Sequence, residues 1–169
     1  TKLAVCHNRR IHSNKVFKGK AARGKTSTGW FYGLKLFLVI NAFGEIMNAF
    51  LTMANVADNH LVTMIKLFSK LKGWAFADKG FINQKAVEEL LSKGLHLITG
   101  IRRNMKNKLV LMEQKILLQK RGVIESVNDI LKTVCDIEHT RHRSPINALV
   151  NLYAGLCSYT FLDRLPSIF

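Results

Sequence analysis

A polar stripe along one predicted helix carries the residues best suited to chemistry. In 120–132 (KRGVIESVNDILK) the apolar residues recur at helical spacing, which leaves Arg121, Glu125, Asn128 and Lys132 on the opposite face. An acid between two basic groups on one face can bind a hard metal ion beside a phosphodiester while the cations hold the phosphates. A solvated helix with one Arg121–Glu125 ion pair would give the same pattern, so the stripe alone does not decide.

A second acid follows a predicted buried strand. The apolar run 74–77 ends in Asp78-Lys79-Gly80, and open α/β folds place their ligands at the carboxyl ends of strands. Asp78 and Glu125 come from separate elements of a basic protein, and Mg²⁺ prefers hard oxygen ligands. The pair therefore suggests metal-dependent phosphodiester chemistry, although a two-metal site normally needs a third acid.

The charge balance names the class of partner. The 169 residues are long enough for one domain with a substantial core. They carry 26 Lys and Arg against 11 Asp and Glu, a net charge of +15. This excess predicts a polyanionic partner, most often nucleic acid, although a ribosomal or membrane-surface protein would share it.

Cysteine usage and hydropathy predict a cytosolic, soluble protein. The three cysteines are widely spaced and form no CxxC motif, which indicates reduced thiols. The two most apolar runs, 34–43 and 147–162, are too short or too polar to span a bilayer. The chain opens with Thr1 and has no signal peptide, and we expect a fragment that lacks its natural N-terminus.

The elements that must position the two acids alternate along the chain. A strand is predicted at 1–5, a basic Gly-rich loop at 7–29, strands at 33–41 and 45–54 joined by a turn, a helix at 59–72, a strand at 74–77, a helix at 83–93, a strand at 95–101, a helix from about 108 to 132 or beyond, and a last helix that begins at Ser144-Pro145. This order predicts an α/β layer with at least one parallel pairing.

The chain resembles the DDE-type transposases of bacterial insertion sequences over nearly its whole length. The segments that carry the resemblance are VCHNRRI, KVFKGKAARGKTSTGWFYGLKL, FADKGF, RRNMKNKL, KRGVIESVNDILK and IEHTRHRSP. In that family the second acid precedes Lys-Gly-aromatic, as Asp78 does. The third acid lies in a helix with the pattern Tyr, two residues, Arg, three residues, Glu, six residues, Lys. Arg121, Glu125 and Lys132 match this spacing, and Leu118 occupies the Tyr position.

The resemblance implies an α/β, RNase H-like fold: a mixed sheet flanked by helices, with a helical C-terminal part. It implies one catalytic domain over 1–169, truncated at the N-terminus, with the first catalytic Asp just upstream of Thr1 and the fragment inactive or nearly so. Asp78 and Glu125 would be the catalytic and metal-binding residues, with Mg²⁺ (or Mn²⁺) as cofactor. The activity would be DNA transposition, by phosphodiester hydrolysis and strand transfer at insertion-sequence ends.

The resemblance also implies partners and a setting. DNA would be the partner, both as element ends and as target, in a bacterial cytoplasmic enzyme that could act as a homodimer. The alternatives are a non-catalytic DNA-binding relic and an RNase H-like nuclease. Seven basic residues are candidate DNA contacts: Arg121, Lys132, Lys79, Arg102, Arg103, Arg141 and Arg143.

Three patterns keep two interpretations each. Asp58 could be a ligand, but its loop-type neighbours favour a turn residue or a helix N-cap. Cys135, His139 and His142 form Cys-x3-His-x2-His, which suggests either zinc or a basic DNA-facing loop with Arg141 and Arg143. The segment 9–25 could follow a phosphate backbone while one of the aromatic residues 30–32 stacks on bases, although we expect at least two of these three to be core.

Overall fold

The computed structural model describes residues 1–27, 29–101, 105, 111–139 and 142–169. Three of the candidate DNA contacts, Arg102, Arg103 and Arg141, lie outside these ranges.

The larger sheet is built around β3 (Gly29–Ile40). Three strands pair with it in antiparallel orientation: β1 (Lys2–Cys6), β2 (Ala22–Thr26) and β4 (Ile46–Met53). Gly33 is opposite both Ala4 and Ala22, so β1 and β2 lie on opposite edges of β3. β4 continues along the β2 edge from Leu34 onward.

The smaller sheet holds the strand before Asp78. β5 (Gly73–Ala77) and β6 (Leu95–Thr99) pair in parallel. α2 (Gln84–Ser92) makes the crossover between them, and α1 (Leu61–Leu67) precedes β5. Asn83, the first residue of the predicted helix, is the N-cap of α2, because its side chain accepts a hydrogen bond from the Ala86 backbone N–H at 3.2 Å.

Alternate residues of β3 enter two different cores. Phe37 packs with Met64 and Leu90 of α1 and α2 and with the smaller sheet. Leu36 packs on the opposite face, with Val127 of α4 (Val123–Thr133) and Tyr159 of α5 (Pro145–Thr160). The period of two along a strand produces this division, so β3 positions the helices on one face relative to the smaller sheet on the other.

Several predictions from the sequence are confirmed. The fold is mixed α/β, and the expected parallel pairing joins β5 to β6. Ser144 caps the last helix, since its side chain accepts a hydrogen bond from the Asn147 N–H at 3.1 Å. Among the described residues, no helix is long and apolar enough to cross a membrane.

Two element predictions are wrong. The predicted loop 7–29 contains a short 3₁₀ helix at Asn8–Arg10 and the strand β2. The β2 sequence, ARGKT, has weak β-propensity and becomes a strand because β3 supplies its hydrogen-bond partners. The predicted long helix is interrupted after α3 (Met112–Lys120), where the Arg121–Gly122 turn precedes α4.

The strand pairing also differs from the single mixed sheet that the resemblance implies. The described strands form two separate sheets, one antiparallel and one parallel. At Ala4 of β1, the backbone N–H donates to Glu138 Oε1 at 3.1 Å and not to a neighbouring strand. The Glu138 side chain therefore accepts the β1 hydrogen bond that a further strand would need in order to extend the sheet at this position.

We predict that Gly33→Ala destabilises the fold by about 2–3 kcal/mol, because a Cβ at this position would overlap the Leu3 carbonyl oxygen in the paired strand β1. Urea unfolding should give a lower midpoint with an unchanged slope. Gly122→Ala is the matched control, since its Cβ would meet no atom within 4 Å and its φ is −56°. Equal midpoints for the two variants would contradict the close approach of β1 to β3.

Candidate functional site

Asp78 lies directly after β5, at the carboxyl end of the parallel pair. Its Oδ1 accepts a hydrogen bond from the Lys79 backbone N–H at 2.7 Å, which caps the short 3₁₀ helix Lys79–Phe81. The side chain is exposed. The carboxylate is thus held at its base by the turn and open to solvent, at the sheet edge where its sequence context predicts a ligand site.

Arg121 brings the start of α4 to this carboxylate. Its Nη2 lies 3.4 Å from Asp78 Oδ1, with both side chains more than a third exposed. Gly100 packs between the two basic side chains nearby: a Cβ there would lie 3.2 Å from Lys79 Cε and 3.8 Å from Arg121 Nη1. Three predicted site residues, Asp78, Lys79 and Arg121, are therefore neighbours, although an exposed ion pair of this kind contributes little to stability.

Glu125 follows Arg121 on the exposed side of α4. Its backbone N–H donates to the Gly122 carbonyl at 2.9 Å, which closes the first turn of the helix. Val127 and Leu131 of the same helix are completely buried, and their burial fixes the rotation of α4 so that Glu125 is exposed. Arg121 pairs with Asp78, and in this respect the stripe differs from a simple surface Arg121–Glu125 pair.

Lys132, at the other end of the stripe, joins α4 to β1. Its Nζ lies 3.0 Å from Glu138 Oε2, and both side chains are only 22% exposed. The other Glu138 carboxylate oxygen accepts the Ala4 N–H. The phosphate contact expected for Lys132 stays a prediction; in the structure Lys132 lies in a half-buried ion pair that holds the helix to the edge of the sheet.

Asn128 has an unmet hydrogen-bonding demand. Its Oδ1 is buried and has no hydrogen-bond partner among the described residues. Buried polar oxygens almost always have a partner, and this one lies on the stripe between Glu125 and Lys132. The sequence places Asn128 on the stripe but gives no reason to select it.

Asp58 packs against the turn that follows Asp78. Lys35 Nζ lies 2.9 Å from Asp58 Oδ1 and donates to the Val56 carbonyl at 2.8 Å. A Cβ on Gly80 would lie 3.2 Å from Asp58 Oδ2. The turn interpretation is confirmed, and the N-cap interpretation is wrong because His60 precedes α1. The sequence feature that points to this ion pair is Lys35, because a cation inside an apolar strand requires an acidic partner.

The start of β1 lies close to the same charged groups. Lys2 is opposite Lys35 in the β1–β3 register, and the Ala4 N–H donates to Glu138. The Lys35–Asp58 and Lys132–Glu138 pairs therefore both border this end of β1, on the side of the molecule where α4 meets the larger sheet.

The zinc hypothesis is not supported. In the part of the chain that the structure describes, no three His, Cys, Asp or Glu side chains form a group that could hold a metal ion. Burial raises the pKa of the Cys135 thiol, which disfavours the thiolate that zinc requires. The His139 and His142 rings lie 4.8 Å apart. Burial lowers the pKa of His142, and the charge of His139 lowers it further. Arg143 is exposed, as a basic surface loop would require.

The aromatic residues after Gly29 divide as expected. Phe31 and Tyr32 are buried, and the Tyr32 hydroxyl donates to the Phe17 carbonyl at 3.2 Å. Trp30 is 57% exposed. The prediction that at least two of the three are core is confirmed.

Comparison with known proteins supplies the family. The family model described as "Transposase DDE domain" matches residues 1–145. No curated protein and no solved structure gives a significant match. The family match covers β1 to the start of α5, including Asp78, Glu125 and both ends of the polar stripe, and so takes in most of the chain. The chain therefore belongs to the transposase DDE domain family.

Proposed function

We propose that this chain is the catalytic domain of a DNA transposase that hydrolyses a phosphodiester at each insertion-sequence end and transfers the freed 3′-OH to target DNA. Family membership implies transposase function and a DNA substrate. The observation that carries the finer proposal is the Asp78–Arg121 contact. It brings the carboxyl end of β5 to the first turn of the helix that carries Glu125.

The residue types fit a magnesium site. Asp78 and Glu125 supply carboxylate oxygens, and the buried Asn128 Oδ1 is an oxygen of the same hard class without a partner among the described residues. Asp78 and Glu125 would hold Mg²⁺ (or Mn²⁺), which when bound would activate the attacking oxygen and stabilise the leaving oxygen.

The basic residues of the site would hold phosphates. The Arg121–Asp78 distance of 3.4 Å is longer than a strong charge-assisted hydrogen bond. The guanidinium can therefore exchange this contact for a phosphate at low cost. The Lys79 side chain borders Gly100 together with that of Arg121 and would contact the same phosphate, while Lys132, paired with Glu138, would contact a phosphate farther along the stripe.

We propose that the domain spans 1–169 with an RNase H-like arrangement. The resemblance further leads us to propose a bacterial cytoplasmic enzyme that acts on paired ends as a homodimer. Arg102, Arg103, Arg141 and Arg143 remain proposed DNA contacts.

We predict that Asp78→Asn or Glu125→Gln lowers strand cleavage at least about a hundredfold, because each removes a hard oxygen ligand. The measurement is cleavage of an end-containing duplex with Mg²⁺, by the protein extended upstream to include the expected first acid. Asp129→Asn is the matched control, an exposed acid on the same helix. Unchanged cleavage in the first two variants would remove the assignment.

The same assay separates the alternatives. DNA binding without cleavage in the extended protein would indicate a non-catalytic relic. Cleavage without joining of the 3′ end to target DNA would indicate a nuclease.

We predict that Arg121→Gln weakens duplex binding and lowers the slope of log K against log salt by about one, because one phosphate contact is lost. Its unfolding midpoint should stay within error, since the ion pair is exposed. Lys93→Gln is the control, a cation whose partner Glu89 lies on α2. An unchanged slope for Arg121→Gln would mean that Arg121 contacts Asp78 and no phosphate.

We predict that Asp58→Asn lowers cleavage about tenfold while Asp58→Glu restores part of it, because the Lys35–Asp58 pair supports the turn that carries Asp78. The informative measurement is the Mg²⁺ concentration needed for half-maximal rate, which we expect Asp58→Asn to raise. A purely structural role would lower the unfolding midpoint and leave that concentration unchanged.

A further inference from the structure

An exposed tryptophan stands at the start of β3, away from the proposed metal site. Trp30 is 57% exposed, although the next two residues of the strand are buried. It lies on the same face of β3 as Leu36, two residues from Tyr32, which closes the small core beside it. Packing of the hairpin therefore does not explain why so large an apolar ring is exposed.

Two cations flank the ring. Lys25 is opposite Trp30 in the β2–β3 register, and its Nζ lies 5.7 Å from the ring centroid. Arg23, two residues earlier on β2, places Cζ at 5.9 Å. Both distances are near the outer limit of a cation–π interaction. The cations therefore border the indole and leave much of its surface accessible.

A third element adds further positive charge. Asn8 Nδ2 donates to the Trp30 carbonyl at 2.7 Å, which holds the short 3₁₀ helix Asn8–Arg10 beside the hairpin. Arg9 and Arg10 of that helix are exposed. Residues 1–44 contain no Asp or Glu, so no acid of this segment neutralises the surface. We call Arg9, Arg10, Arg23, Lys25 and Trp30 the hairpin surface.

The hairpin surface lies near the Lys132 end of the polar stripe. Lys132 pairs with Glu138, and Glu138 accepts the Ala4 N–H. Ala4 is opposite Gly33, and Trp30 lies three residues from Gly33, about 10 Å along the strand. A nucleic-acid strand that passes the Lys132 end of the stripe could therefore continue to Trp30.

We propose that the hairpin surface binds an unpaired DNA base stacked on Trp30, with the flanking phosphates held by Arg23, Lys25 and the 3₁₀ helix. Aromatic rings bordered by cations bind single strands because every base has a π-face and every linkage carries a charge. An acidic peptide could pair with the cations, but it has no base that would stack on the indole. The choice of DNA as the polymer rests on the proposed function.

The experiment measures binding of a fluorescent fifteen-residue oligothymidylate to the whole chain in EDTA, by anisotropy at several salt concentrations. Trp30→Ala should weaken binding about 5- to 150-fold, the range found for loss of one stacked base. Trp30→Phe should retain most of the affinity. Trp74→Ala is the matched control, because Trp74 is 47% exposed on β5, and it should bind as the wild type does.

The salt dependence separates stacking from charge. Trp30→Ala should keep the wild-type salt slope, whereas Arg23→Gln with Lys25→Gln should lower it by about 1.4, since each of the two lost phosphate contacts contributes about 0.7 on a single strand. Blunt duplex should lose much less affinity than the oligothymidylate on Trp30→Ala.

The proposal is overturned if folded Trp30→Ala binds the oligothymidylate as the wild type does, or loses duplex and single-strand affinity equally. Displacement by polyglutamate with the same efficiency in wild type and Trp30→Ala would reduce the surface to a nonspecific basic patch. The readout needs no catalysis, so loss of single-strand binding in Trp30→Ala stands even if cleavage is never found. Conversely, cleavage that depends on Asp78 stands if Trp30 has no effect.

Discussion

The two-sided burial of β3 is the constraint on which the rest of the structure depends. Leu36 and Phe37 are adjacent in the chain, are both nearly inaccessible, and face different cores. The core around Phe37 holds the β5–α2–β6 unit, in which Asp78 follows β5, and the core around Leu36 holds the helix that carries Glu125. A slip of one residue in the pairing of β3 would exchange its two faces. The elements that carry Asp78 and Glu125 would then no longer be held in their present relative positions.

Ion pairs connect the elements that these cores bring together. Arg121 links the start of α4 to the end of β5, Lys132 reaches Glu138, and Lys35 of β3 reaches Asp58. The Arg121–Asp78 and Lys35–Asp58 pairs join segments distant in sequence, and the Lys132–Glu138 pair reaches β1 through the Ala4 N–H. In a chain with 26 basic and 11 acidic residues, four of the acids lie close to the candidate site. Three of these four acids, Asp58, Asp78 and Glu138, are paired with a basic residue, and the first 44 residues contain no acid.

Local signals in the sequence predicted the elements that have their own stop and start residues. The helix predicted at 83–93 corresponds to α2, and Ser144-Pro145 began α5 as predicted, because caps act within one turn. β2 was missed because its stability comes from β3 and not from its own residues. The helix interruption was missed because Gly122 lies between segments with acceptable helical patterns.

The candidate site was predictable to the same extent. Spacing placed Arg121, Glu125, Asn128 and Lys132 on one face of one helix. The buried Val127 and Leu131 bear out that rotation for α4, whereas Arg121 lies in the turn before α4. The partners were not predictable, because the contacts of Arg121 with Asp78 and of Lys132 with Glu138 depend on how separate elements pack. The unmet carbonyl of Asn128 is likewise a property of burial, which only the packed structure reveals.

The position of β2 has a consequence for self-association. Among the described strands β2 pairs only with β3, so its other edge presents backbone groups to which a second chain could add. Arg23 and Lys25 alternate there with Gly24, which packs tightly on Ala54 and cannot be enlarged. Like charges on both copies would repel an incoming strand before it could pair. The basic residues of this hairpin therefore guard the sheet against edge-to-edge aggregation.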